Sequence, residues 1–247
     1  MGMKFFVFFI LFVSLVSPQE SPNVYWNSLA TDVTVGVPLV DDATLIGGRV
    51  QIKVSFNGGK SYDDMGEIFT IEKSDIDDLK NVSVPADIFE AMLGFSEGGK
   101  AQFIAKVWDR AGNSIEGAVS DSVLSIDEMV PTLVSLKILS SNEKKNLAMP
   151  GDSIIFDLVT SEPIKKPEFD INGESYNDGA VGVEKSWKLM YSADEADDGP
   201  ITFEINFMDL AGNPGIPITV ATDSLVVTMD GTLPEITEVN LFSNNSY

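Results

Sequence analysis

Ala105 to Asn113 reads AKVWDRAGN and Ile205 to Asn213 reads INFMDLAGN, so Asp109, Ala111, Gly112 and Asn113 recur as Asp209, Ala211, Gly212 and Asn213 one hundred residues later. The correspondence continues downstream. Asp121-Ser122-Val123-Leu124 matches Asp223-Ser224-Leu225-Val226, and Asp127 with Pro131 matches Asp230 with Pro234. Leu136, Ile138, Ser140 and Asn142 then answer to Val239, Leu241, Ser243 and Asn245. A period near 100 residues is the size of a whole domain. It predicts one domain over residues 20–127, a second over 128–229, and the opening strand of a third over 230–247, incomplete within this chain.

Each repeated motif closes a stretch with a period of two. Phe203, Ile205 and Phe207 alternate with Glu204 and Asn206, as Val50, Ile52, Val54 and Phe56 alternate with Gln51, Lys53 and Ser55. That is the pattern of a strand with one buried face. Ile154, Phe156 and Leu158 follow the turn signal Pro150-Gly151-Asp152, and Trp187, Leu189 and Tyr191 make another such set. Short strands at about ten-residue spacing, separated by Gly, Pro, Asn and Asp clusters, predict a sandwich in each domain. The front of the first domain carries an insertion, with helical turns expected at Asp75–Leu79, capped by Ser74, and at Asp87–Leu93.

The second unit resembles the bacterial immunoglobulin-like (Big-type) domains arrayed in tandem in surface and adhesin proteins. The marks are Asp127 with Pro131, Pro150-Gly151-Asp152-Ser153-Ile154, Ser161-Glu162-Pro163, Asn172-Gly173, and the Asp209 to Asn213 motif. The resemblance covers 128–229 and the first domain from about Gly98. It implies an all-β chain of tandem immunoglobulin-like sandwiches, with further repeats of the same chain as partners. Such modules serve as spacers, adhesins and enzyme accessories alike, so fold alone does not choose among those roles.

Charge narrows the choice. With 38 acidic and 16 basic residues the net charge is −22, and only two of the basic residues are Arg. Such a surface repels phosphate backbones, which excludes nucleic acid as a partner. It attracts cations, and calcium is the hard, oxygen-seeking cation of extracellular fluid. The chain has no Cys and no His, which removes Ser/His/Asp and Cys/His nucleophilic machinery, thiolate and imidazole metal sites, and disulfides. Carboxylate chemistry is what remains for catalysis.

Lys4 followed by the apolar run Phe5–Val16 reads as an export signal over residues 1–19, with cleavage between 17 and 21. Twelve residues are too few to span a bilayer, so no membrane span is expected after cleavage. The chain is thus expected to be secreted or held at the cell surface.

Candidate ligands follow from these readings. In the DRAGN and DLAGN loops the Asp carboxylate can accept a backbone N–H two residues on, which makes a hairpin; alternatively Asp109 and Asp209 join calcium sites. Asp127, Glu128 and Asp230 lie at the domain junctions, where a cation would stiffen the array. Calcium is therefore the one cofactor expected, and the chain requires none. Asp194 to Gly199 is the densest acidic cluster, but Ala196 and Ile205 occupy positions where an EF-hand needs oxygen ligands. Ser55 to Tyr62 resembles the Asp-box of sialidase-like propellers, with Asn57 in place of its Asp, and Asn57-Gly58-Gly59 also reads simply as a hairpin turn. Trp108, Trp187, Tyr176 and Tyr191 are candidates for stacking on a carbohydrate or other surface ligand, Trp108 foremost because its parity opposes that of Phe103 and Val107. Two functions stay open: a non-catalytic spacer or adhesion module, and an accessory module of a secreted hydrolase.

Overall fold

A computed structural model describes residues 24–194, 198–240, 242 and 244. The apolar run and its cleavage region lie outside the described residues, as do Glu195, Ala196 and Asp197 of the acidic cluster. The described chain divides into two units. Residues 24–25 and Thr31–Ile126 form the first, and Trp26–Ala30 with Asp127 onward form the second.

The first unit contains β1 (Val24–Trp26, whose last residue belongs to the second unit), β2 (Asp32–Leu39), β3 (Arg49–Ser55), β4 (Asp63–Thr70), β5 (Asp78–Pro85), α1 (Ala86–Glu90), β6 (Lys100–Trp108), β7 (Ser114–Glu116) and β8 (Leu124–Ile126). One sheet runs β1-β8-β6-β3-β4, with β7 also on β6, and the other is the pair β2-β5. Val50, Ile52 and Val54 are fully buried, as their alternation requires, and so are Val82 and Val84 of β5. Each contributes roughly 1.5 to 3 kcal/mol by leaving water. The polar side of β3 is a correction to the sequence reading, because Gln51 and Ser55 are buried too. A register shift against β4 opens the ladder between Val50 and Ile52, and the Gln51 amide donates to the carbonyls of Ile52 and Met65 there. Ser55 is buried by the hairpin: its hydroxyl donates to Asn57 Oδ1 and accepts the Gly59 N–H, while Gly58 and Gly59 take positive φ.

The insertion differs from expectation at one of its two turns. Ser74 caps nothing; it lies inside a 3₁₀ turn over Lys73–Asp75, and Asp77 at φ 58° ends the turn before β5. Asp75 holds the turn by accepting the Glu72 N–H and pairing with Lys80 at 3.0 Å. The second turn is α1, which delivers Phe89 into the core against Phe56, Phe95 and Phe103, with ring centroids 5.4 to 6.0 Å from Phe89.

In the second unit come β9 (Leu133–Ser140), β10 (Leu147–Ala148), β11 (Ser153–Thr160), β12 (Glu168–Ile171), β13 (Glu174–Ser175), β14 (Val181–Val183), β15 (Ser186–Ser192), β16 (Gly199–Pro200), β17 (Phe203–Asn206) and β18 (Thr228–Met229). The sheets are β14-β15-β11-β9 and β13-β12-β17, with a small ribbon β10-β18-β16 in which β10 and β18 run parallel. Reading β9, β11, β12, β14, β15 and β17 as A, B, C, D, E and F gives D-E-B-A facing C′-C-F, the strand order of the immunoglobulin sandwich. Phe156 on the first sheet meets Phe169 and Phe203 of the second edge-on, at 5.9 and 5.5 Å. Phe156, Leu158, Ile205 and Phe207 are buried, and Phe203 is half-buried against the same core.

The first unit follows the same plan, with β2, β3, β4, β5 and β6 as B, C, C′, E and F. Both units are therefore immunoglobulin-like β-sandwiches, and the chain is all-β apart from short helical turns. The segment from Asp230 to Asn240 forms no strand, and Leu233, Ile236 and Val239 are each more than four-fifths exposed.

Candidate metal centre

In an immunoglobulin sandwich the B–C and F–G loops emerge at the same end. The second unit brings its lead-in residue to that end as well. Asp127 donates its N–H to the Trp26 carbonyl, and its own carbonyl accepts Asn213 Nδ2 at 2.8 Å. Glu162 sits just past β11, where Thr132 and Ser161 exchange hydrogen bonds and the Thr160 hydroxyl donates to the Glu162 carbonyl. Asp209 follows β17 and is bridged to Ile164. One carboxylate oxygen from each of Asp127, Glu162 and Asp209 lies within 4.8 Å of the other two.

Asp209 is 1% exposed and is held rigidly. It accepts the N–H groups of Gly212 (2.6 Å) and Asn213 (2.8 Å) and the Asn213 side-chain amide (2.7 Å). Asn213 is itself fully buried and accepts the Ser28 N–H at 2.7 Å, while Asn27 donates to the Ala211 carbonyl. Gly212, at φ 102°, supplies the left-handed residue that lets the loop close.

Such a donor set has a definite chemistry. Three carboxylates within one ion's reach repel one another, and a hard divalent cation relieves that repulsion. Oxygens around a single calcium ion lie at most about 5 Å apart, so the spread of this group fits one ion. Hard oxygen donors, with neither imidazole nor thiolate in the chain, suit calcium, magnesium or manganese rather than zinc or copper.

Of the residues singled out in the sequence, Asp127 and Asp209 come together here. Glu162 joins them; its Ser-Glu-Pro context was visible, but nothing local says that the B–C loop meets the F–G loop. Glu128 is half-buried beside Asp127 and is not one of the three. Asp230 is exposed, with its N–H on the Ala148 carbonyl and its carboxylate on the Thr232 N–H. Asp109 stays in its own loop in the first unit, where the Asn113 side chain, followed by backbone N–H groups, holds its carboxyl below the usual range against an opposing burial effect.

The aromatic candidates are engaged within the protein. Trp108 lies under the Arg49 guanidinium and the Lys106 ammonium, 4.8 and 5.0 Å from its ring centroid. Tyr191 is buried and meets Tyr176 edge-on at 4.9 Å, and Trp187 Nε1 donates to the Glu184 carbonyl.

No family model matches the chain, and no curated protein matches it. Similar solved structures include fibronectin(III)-like modules of CbhA from Clostridium thermocellum, at 12% identity over 90% of this chain and 98% of that one, with a TM-score of 0.43. The FN1–FN3 domains of chicken CNTN1 align at 14% identity over 81% and 68%, with a TM-score of 0.41. A 1.5-MDa bacterial ice-binding adhesin aligns at 16% over 82% and 66%, with a TM-score of 0.32. The fold assignment rests on the strand order itself. No helix among the described residues is long and apolar enough to cross a membrane.

Proposed function

We propose that this chain is a non-catalytic extracellular spacer or adhesion module of a bacterial cell-surface protein, and that calcium held by Asp127, Glu162 and Asp209 fixes the lead-in of its second unit. The convergence of those three carboxylates carries the reading. Asp127 belongs to the segment leading into the unit, whereas Glu162 and Asp209 belong to its rigid loops, so one ion ties the first to the others. A spacer needs that property, because its geometry depends on junctions that do not swing. The export signal, the acidic surface and the absence of His and Cys support the same reading. No triad based on imidazole or thiolate can be assembled from these residues.

Thermal melts and small-angle scattering of the purified chain, with calcium and with chelator, test it. Binding to the folded state alone adds about 2.7 kcal/mol at a hundredfold excess over Kd, so the melting temperature rises with calcium concentration. Identical melts and scattering profiles under both conditions remove the cation. Hydrolysis of polysaccharide or peptide by the same chain overturns the non-catalytic reading.

A further inference from the structure

The outward face of the first unit's larger sheet carries a cationic cluster. Arg49 on β3 stands opposite Trp108 on β6, and Lys106 lies two residues before Trp108, so all three share the face turned away from Val50 and Val107. The Arg49 guanidinium and the Lys106 ammonium both rest on the Trp108 ring, 4.8 and 5.0 Å from its centroid.

A chain with 38 acidic and 16 basic residues has carboxylates to spare for such cations, yet none serves these two. Glu116 faces Lys106 across the β6–β7 ladder, but its carboxylate reaches Lys53 Nζ at 3.2 Å, and Asp64 is drawn to the same Lys53 at 3.7 Å. Thr70 and Ser114, the cross-strand neighbours of Arg49 and Trp108, are uncharged. Among the described residues neither Arg49 nor Lys106 forms a salt bridge. Two cations held on one indole repel each other, and the ring attracts each without neutralising either. A carboxylate between them relieves that repulsion.

The surroundings define the anion. The guanidinium fork matches the two oxygens of a planar carboxylate, and the ammonium adds a point charge beside it. The net charge of −22 repels a polyanion, so the ligand has a single acidic group on a neutral body. A peptide cannot add as a strand here, because β3 is paired by β4 and β6 at Arg49, and β6 by β3 and β7 at Trp108. Recognition falls to side chains on a flat face, where the exposed Thr70 and Ser114 hydroxyls suit those of a sugar. We infer that Arg49, Lys106 and Trp108 form a binding site for a neutral oligosaccharide carrying one carboxylate sugar, with Arg49 and Lys106 gripping the carboxylate and Trp108 positioning both cations. This ligand deepens the adhesion side of the proposed function and rests on it; neither the calcium site nor its loops take part.

NMR titration of the purified full chain tests it, read at the Trp108 indole N–H and the Arg49 guanidinium N–H. The probe is a neutral tetrasaccharide ending in one glucuronic acid, run against its methyl ester, acetate, and a tetrapeptide with a free C-terminal carboxylate. The acid sugar is expected to shift both signals to saturation, and the other three to bind at least about tenfold more weakly. Arg49→Gln and Lys106→Gln should each lose about tenfold in affinity, and Arg49→Lys should fall between them and wild type because it keeps the charge without the fork. Lys60→Gln, the same charge change on the exposed hairpin, should bind as wild type, and all four variants should keep the wild-type circular dichroism spectrum. A methyl ester that binds like the acid, an Arg49→Gln variant of unchanged affinity, or an equal loss in Lys60→Gln overturns the site. Acetate or peptide binding as tightly as the sugar overturns the ligand class. A chain that gains stability with calcium yet ignores the acid sugar overturns this ligand and leaves the spacer reading standing.

Discussion

The loops Asp109–Asn113 and Asp209–Asn213 close with matching bonds. In each, the first N–H donates to the last carbonyl, and the Asp carboxylate accepts both the backbone and side-chain N–H of the Asn. Their surroundings differ. Asn113 is exposed, while Asn213 is buried and extends its side chain to Ser28 and to the Asp127 carbonyl. The motif therefore encodes a hairpin, and segments distant in sequence decide whether that hairpin is a surface loop or a structural clasp.

The widest gap between the two loops is expected on removing the carboxylates. Asp209→Ala leaves buried N–H donors unsatisfied and should cost about 3 kcal/mol, lowering the melting temperature of the second unit by at least about 10 °C. Asp109→Ala, on an exposed loop, should leave the first unit's melting temperature nearly unchanged. Equal losses in the two variants, followed by calorimetry, would show that burial does not separate the loops. The Asn residues should differ less. Asn213→Ala should cost about 2 kcal/mol and speed amide exchange at Ser28, whereas Asn113→Ala should do neither.

Glu162→Gln sharpens the comparison, because among the described residues the second loop has the Asp127 and Glu162 carboxylates beside it. Without calcium the substitution relieves like-charge repulsion and should stabilise by up to about 1 kcal/mol. With calcium the order should reverse, since the variant should lose the metal-dependent rise expected of wild type. A Gln variant that keeps the full calcium response would remove Glu162 from the ligand set.

Local pattern was enough to place much of this. Val50, Ile52, Val54, Phe156, Leu158 and Ile205 are inward because period-two alternation depends on neighbours in sequence alone. The loops were legible for the same reason, since the Asp–Asn clasp spans four residues. Gln51 was misread because its burial follows from a bulge against β4, and Ser74 because a helical turn and a 3₁₀ turn into a strand share the same polar residues. Glu162 has no local signal for the carboxylate cluster, and Glu128 and Asp230 share with Asp127 only their sequence proximity to junctions; the meeting of Asp127, Glu162 and Asp209 spans more than eighty residues and depends on which loops share an end of the sandwich.

The smallest expected effect concerns acid, and it belongs to the exposed loop. The Asn113 side chain, the largest influence on Asp109, donates to its carboxylate and favours the charged form, so the folded carboxyl titrates below its unfolded value, near pH 4. A lowered folded value means that the contribution is fully present above the unfolded one and is lost as pH falls through the folded one. The loop should thus hold at neutral and mildly acidic pH and loosen only below about pH 4. Asp109 is half-buried on a loop open to solvent, which screens it, and the change in unit stability should be slight. Titration of the Asn113 side-chain amide by NMR reads it directly: the midpoint should lie below that of an ordinary aspartate. In Asn113→Ala, where the carboxylate loses its strongest donor, the Gly112 amide should report a midpoint moved back up. Midpoints that coincide in wild type and variant would mean that the Asn clasp does not set the loop's response to acid.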